Sequence, residues 1–294
     1  MNRIETDPGR GEIQPRKVVF DWAKTPLHWM RRDPTASHVY SALNMMLPAG
    51  EGMICQTLTE ALPLIADEKL RRDVLGFLGQ ESVHSASHDK ATVDFLQAHG
   101  INTEPFVAQG EYLYGKLFGP RPLLSARASQ QYLLDRLAVS ASLEHLFAFL
   151  GDWALNADLE KFDPDPMMLD LYRWHGAEEV EHRHVVHDVT QYFEVGYLRR
   201  NIAFLLTWTG LLIFMTRGAK FLTHADPSLD NPGYLRTVAR LTASMLRGSL
   251  PAAPTLLRSL ALCLRPGYSP EAVGDTAQAL AYLATSPAAR AGAL

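Results

Sequence analysis

Four glutamates and four histidines interrupt rows that helical periodicity would otherwise fill with hydrocarbon. The first row runs Leu47, Glu51, Ile54, Leu58, Leu62, Ile65, and the second Leu70, Val74, Phe77, Glu81, His84, His88, Ala91, Phe95. The third runs Leu137, Ala141, Glu144, Ala148, and the fourth Leu171, His175, Glu179, His182, Val186, Val189, Phe193. At this spacing each row is one face of a helix that packs inward. An ionised carboxylate without a partner is very costly in a dry core, so four that converge need positive charge among them. A pair of metal ions is the natural source. Glu51 and Glu144 would give one carboxylate each, while Glu81-Ser82-Val83-His84 and Glu179-Val180-Glu181-His182 each set an acid and an imidazole on one helical face, roughly 5–6 Å apart at Cβ. A single Glu-x-x-His is more often a solvated pair; two on core rows, with one acid on each of two other rows, is a far more specific pattern.

Such a constellation needs long helices to carry it. Period-2 alternation is almost absent and there is no internal repeat, so the chain should be nearly all helix. Breakers at Pro48 to Gly50, Pro63, Gly100, Gly119 to Pro122, Asp163 to Pro166, Asp226 to Pro232, Pro251 to Pro254 and Pro266-Gly267 divide it. Between them the pattern predicts helices near 49–65, 68–99, 125–159, 167–195, 197–222, 233–249 and 270–285. The organisation expected is a flexible tail over 1–16 and one helical domain over 17–294, with the four metal-bearing helices within about 44–195 and additional helices over 197–286.

Composition narrows the function classes. The chain is 47% hydrophobic and 20% charged with a net charge of −4, which offers no basic stripe for nucleic acid. Cys55 and Cys263 are too far apart in sequence to suggest a CxxC site or a disulfide framework. A reducing cytoplasm is the expected location, and the N-terminus has no apolar stretch of the signal-peptide kind. Asn201 to Thr216 is almost wholly apolar between Arg199-Arg200 and Arg217, yet shorter than the roughly 20 residues a spanning helix needs. It reads as a buried helix, with contact at a membrane surface as the alternative. No Gly-x-Ser-x-Gly, P-loop or dinucleotide fingerprint is present.

The order Glu, Glu-x-x-His, Glu, Glu-x-x-His resembles the ferritin-like di-iron carboxylate superfamily. His175, one turn before Glu179, extends the last unit to His-x-x-x-Glu-x-x-His, which is similar to the di-iron N-oxygenases that convert arylamines to nitro compounds. This resemblance covers the four-helix core. It implies an all-α, ferritin-like bundle and assigns Glu51, Glu81, His84, Glu144, His175, Glu179 and His182 as ligands of two irons, with manganese or a mixed pair as variants. Over nearly its whole length the sequence is also similar to a bacterial family labelled "predicted metal-dependent hydrolase". The similarity runs through Phe20-Asp21, Leu47-Pro48-Ala49-Gly50-Glu51-Gly52, Gln80-Glu81-Ser82-Val83-His84 and Trp174-His175-Gly176-Ala177-Glu178-Glu179-Val180-Glu181-His182.

Other polar residues stand near these positions. His88, one turn beyond His84, is expected behind a ligand rather than as an eighth one. Glu178 and Glu181 fall roughly 100° off the inward face, although Glu178 pairs with His175 as His-x-x-Glu and is the alternative to Glu179. Asp188 is a candidate acceptor for a ligand imidazole, His145, His184 and His187 read as surface or packing residues, and His28, His38, His99 and His224 carry no pattern.

Four glutamates balance two Fe(II) ions to neutrality, and mixed carboxylate and imidazole ligation without thiolate suits iron or manganese. The leading expectation is therefore dioxygen activation for oxidation of a hydrophobic or aromatic small molecule, with an electron donor as partner. The apolar residues Phe204, Leu205, Leu206, Trp208, Leu211, Leu212, Phe214 and Met215 could line its pocket. Hydrolysis by a hydroxide held between two metals is the alternative, and a ferroxidase or metal-binding role is the third. A homodimer is left open.

Overall fold

The computed structural model describes residues 11–122 and 125–293. Among them there is no β-strand, only an isolated bridge between Met30 and Pro164, so the all-α expectation holds. Helix α1 (Pro34–Ala61) starts where Asp33 accepts a hydrogen bond from Ala36 N and Pro34 follows it, a side-chain cap with proline in the first turn. Asp67 caps α2 (Glu68–Lys90) in the same way, and the helix continues into a π-helical turn, Ala91–Gln97. Helices α3 (Glu104–Tyr112), α4 (Ala126–Asn156), α5 (Pro166–His182) and α6 (Val185–Tyr192) follow, with Asp165 capping α5 through Met167 N and Met168 N. The remainder comprises α7 (Tyr197–Ala225), α8 (Tyr234–Arg247), α9 (Ala253–Cys263), α10 (Thr276–Leu283) and α11 (Pro287–Gly292).

Helix α1 packs on α2 and α4, and α5 packs on α4 and α2, so these four surround one core. Ile54, Leu58, Val74, Phe77, Leu137, Leu171, Val186 and Val189 from the inward rows are all fully buried there. Contact between α4 and α5 is closest at Gly151 and Gly176, where a Cβ on Gly176 would stand 2.5 Å from Gly151 Cα. Only glycine at both positions lets the two backbones cross so tightly, and the crossing lies beside His175. Helix α7 covers α1 and α4, while α10 and α11 cover α5.

The structure departs from the expected segments in four places. Helix α1 begins fifteen residues before position 49 and runs straight through Pro48. Packing against α2, α4 and α7 outweighs the one backbone hydrogen bond a proline removes. The segment 167–195 is two helices, because the α-helix ends at His182 and the Arg183 guanidinium takes up the Val180 carbonyl. Helices α3, α9 and α11 form in stretches read as connections. Finally, residues 11–16 of the expected tail pack on the bundle: Ile13 is buried and the Gln14 carbonyl accepts from Gln80 Nε2 at 3.1 Å. Residues 1–10 lie outside the described residues.

Candidate metal centre

Glu51 from α1, Glu81 from α2, Glu144 from α4 and Glu179 from α5 all point into the same core, each 2% exposed or less, with His84, His175 and His182 buried among them. One ligand atom from each of Glu81, Glu144, Glu179 and His182 lies within 4.8 Å of the others. The same holds for Glu51 with Glu81 and His84, for His84 with His175 and Glu179, and for Glu51 with His88 and His175. Glu51, Glu81 and Glu179 each belong to two of these groups, whereas Glu144 belongs to one. His182 Nε2 faces Glu179 Oε2 at 3.2 Å, Glu81 Oε1 at 3.3 Å and Glu144 Oε2 at 3.5 Å. His84 Nδ1 faces Glu81 Oε1 at 3.4 Å and Glu179 Oε1 at 3.5 Å, and His175 Nε2 faces Glu179 Oε1 at 2.7 Å and Glu51 Oε1 at 3.6 Å.

Both oxygens of Glu51, Glu81 and Glu144, and His84 Nδ1, are buried without a hydrogen-bond partner among the described residues. Each such atom costs about 1–3 kcal/mol if nothing satisfies it, so seven in one place call for protons or cations among them. Burial, reinforced by neighbouring carboxylates, pushes Glu51 well above the usual carboxylate range and Glu144 up to about 8. Burial opposes charge on His84 and His182, but the surrounding carboxylates outweigh it and hold both well above the usual imidazole range. His88 and His175 are driven well below that range by burial. Retained protons are how such a cluster limits its charge without metal; two cations among the same donors achieve the same end. Carboxylates and imidazoles without thiolate fit iron, manganese or a catalytic zinc.

A second ring of residues holds the imidazoles in place. His182 Nδ1 is hydrogen-bonded to Gln80 Oε1 at 2.9 Å, and Gln80 Nε2 donates to Glu181 Oε2 at 2.8 Å. His84 Nε2 is hydrogen-bonded to Glu178 Oε2 at 2.8 Å, and Arg16 Nη1 joins Glu178 Oε1 at 2.8 Å to Glu181 Oε2 at 2.6 Å. His88 lies behind His175, its Nε2 2.6 Å from His175 Nδ1 and its Nδ1 2.8 Å from Asn44 Oδ1. Orientation of ligand imidazoles by such partners tunes metal affinity.

All seven expected ligands thus come together. Glu178 does not take the place of Glu179; it lies fully buried on the outer side of His84. Every ring nitrogen of His84, His88, His175 and His182 faces one of the partners above. Arg16, Asn44 and Gln80 were missed as parts of the site. Arg16 sat in the supposed tail, and only Gln80, beside Glu81, carried any positional hint. His145 is a packing residue, buried between Tyr268 OH at 2.6 Å and Ser259 Oγ at 3.0 Å. His28 and His38 do meet: both Nε2 atoms reach Asp226 Oδ2, at 2.6 and 2.8 Å. Asp226 Oδ1 takes Ser228, so hydrogen bonds satisfy this carboxylate and tie α1 to the end of α7.

One side of the centre opens into an apolar cavity of about 220 Å3. His175 and Glu179 line its inner end with Tyr172, and the walls are hydrocarbon from α1, α4, α7 and α8, including Leu47, Phe147, Trp208, Leu211 and Met245. Helix α7 is therefore only half the buried helix expected over 201–216: Phe204, Trp208, Leu211 and Phe214 face inward, while Ile202, Leu206 and Ile213 are exposed.

Residues 14–274 match the model of a family described as "Predicted metal-dependent hydrolase". Comparison with curated proteins and with solved structures gives no significant match.

Proposed function

The chain belongs to the predicted metal-dependent hydrolase family, and on that premise we propose that it is a two-metal enzyme acting on an apolar small molecule. Glu51, Glu81, Glu144, Glu179, His84, His175 and His182 are the proposed ligands, in the ligand order of the ferritin-like di-iron proteins. The observation that carries this reading is the convergence of seven buried, unpartnered carboxylate and imidazole atoms from α1, α2 and α4 on His175, Glu179 and His182 of α5. Among metals, we propose two irons on the strength of that ligand order; four glutamates would neutralise two Fe(II) ions, as they would any two divalent cations. Bound there, iron would supply the electrons that activate dioxygen for oxidation of the substrate. An electron donor would restore them.

The chain's own residues have definable tasks in this scheme. Gln80, Glu178 with Arg16, and His88 with Asn44 hold His182, His84 and His175 so that their remaining nitrogens face the carboxylates. Leu47, Phe147, Trp208 and Leu211 exclude water and bind hydrocarbon beside His175 and Glu179. The cavity carries few polar groups, so it positions its occupant by shape.

A second reading, hydrolysis, is favoured by the family's description. The same carboxylates would hold zinc or manganese, which would supply the Lewis acidity for hydrolysis. Metal analysis followed by anaerobic reduction and exposure to air separates the two. Two irons per chain with a change in visible absorption on oxygen exposure supports oxidation. Stoichiometric zinc with ester hydrolysis supports the second reading, and a chain that takes up no metal refutes both.

A further inference from the structure

We propose that α7, α8 and α9 seat the protein on an anionic lipid surface, with the mouth of the apolar cavity at that surface. Helix α7 is 29 residues long and apolar enough to cross a bilayer, yet its most apolar window is one-third buried in the protein. Its inner face is committed to α1 and α4, so it lies along a membrane rather than through it. Its outer face presents Leu198, Ile202, Leu205, Leu206, Leu212 and Ile213, a stripe at helical spacing, with Leu206 68% exposed. Helix α8, packed against α7, repeats the pattern with Leu235 and Leu246, each 84% exposed, and α9 adds exposed Leu257. Isolated exposed leucines need no explanation, but a run of them over three consecutive helices does.

Charge identifies the occupant. Residues 195–270 contain nine Lys or Arg and two Asp or Glu, a net of +7 within a chain whose net is −4. The basic groups include Lys220, Arg236, Arg258 and Arg265, all exposed beside the apolar stripes. Leucine flanked by many cations and few acids is the composition of a helix lying in the interface of an anionic bilayer. Arg199 is paired with Asp135 and Arg247 with Asp33, and a second copy of this chain would still bring +5 against +5. Continuity with the cavity is the further observation: Leu212 is half exposed in the α7 stripe and also lines the cavity, as do Met215, Leu241, Met245 and Leu256 of the same three helices. An apolar substrate dissolved in lipid could enter there without crossing water, a step that rests on the reading of the cavity as substrate site; the docking itself does not.

Flotation of the full chain with vesicles of phosphatidylcholine, with and without phosphatidylglycerol, tests the docking. Binding is expected to the mixed vesicles, weakening with salt, and to drop about tenfold or more in the double variant Leu206→Glu with Leu235→Glu. Circular dichroism and metal content should stay unchanged, which keeps this outcome separate from the fate of the metal centre. Absence of binding to the anionic vesicles, or equal binding by the variant, overturns the proposal. So does conversion of a dimer to a monomer by the variant with no vesicle binding by either form, which would make the face an interface between copies.

Discussion

Helices α1, α2, α4 and α5 turn charge inward, whereas α7, α8 and α9 turn hydrocarbon outward. Both invert the usual arrangement of a globular protein, but the two inversions differ in severity. A carboxylate buried without a counter-charge is penalised by several kcal/mol, while an exposed leucine only forgoes about 1.5–3 kcal/mol of burial. The centre formed by Glu51, Glu81, Glu144 and Glu179 should therefore depend on its cations, and the outer helices should tolerate change in water.

Metal removal should have the largest effect, and pH should expose its cause. Without metal, Glu144 titrates at about 8 and Glu51 is also raised, against a usual value of 4.5. A raised carboxyl contributes stability below its unfolded pKa and loses it as pH rises through the folded one. His84 and His182, also raised, act in the same direction. The chelated protein should thus melt at a lower temperature at about pH 8 than at about pH 5. The metal-loaded protein should reverse that trend and exceed the chelated form by about 4 kcal/mol at a metal concentration near a thousand times Kd. Equal melting of both forms at the higher pH would show that the four carboxylates need no cation.

Single ligand changes should rank next, and unequally. Glu51, Glu81 and Glu179 each share two groups of donors, whereas Glu144 belongs to one. Glu81→Ala should therefore abolish binding of both metals, while Glu144→Ala should leave one per chain. Metal content by elemental analysis distinguishes these outcomes; identical loss from both variants would remove the distinction drawn between Glu81 and Glu144.

A smaller effect is expected behind the ligands. Gln80→Leu keeps the volume but takes away the acceptor at His182 Nδ1, and loss of such a partner typically lowers metal affinity 10–100-fold. Competition with a chelator measures this. An unchanged affinity would mean that packing against Phe77, whose ring centroid lies 4.6 Å from that of His182, suffices to orient the imidazole.

The two regions also differed in how far their sequence could be read. In the bundle, Glu81-x-x-His84 and Glu179-x-x-His182 interrupt long apolar rows, so spacing alone indicated which faces meet. Connections and second partners were less visible, because they depend on contacts remote in sequence: Arg16 reaches Glu178 across 162 residues, and His38 reaches Asp226 across 188. The start of α1 had a local signal, Asp33-Pro34, but Pro48 masked the helix behind it. In α7 a nearly continuous apolar run carried too little periodicity to separate the face on α1 from the face outside. The net charge of +7 over 195–270 bears on the surface proposed for these helices rather than on how they pack.

The smallest change should come from the outer face. Leu206 is 68% exposed and Leu137 is fully buried, although both are leucines on long helices. Leu206→Glu leaves the core intact and creates no cavity, so in water its effect on unfolding should stay within about 0.5 kcal/mol. Leu137→Glu should unfold the protein, since it adds a charge to a core already holding four carboxylates. Denaturant midpoints without lipid make the comparison. A Leu206→Glu variant destabilised as strongly as a buried one would mean that this stripe already packs on protein, and the contrast between the two regions would vanish.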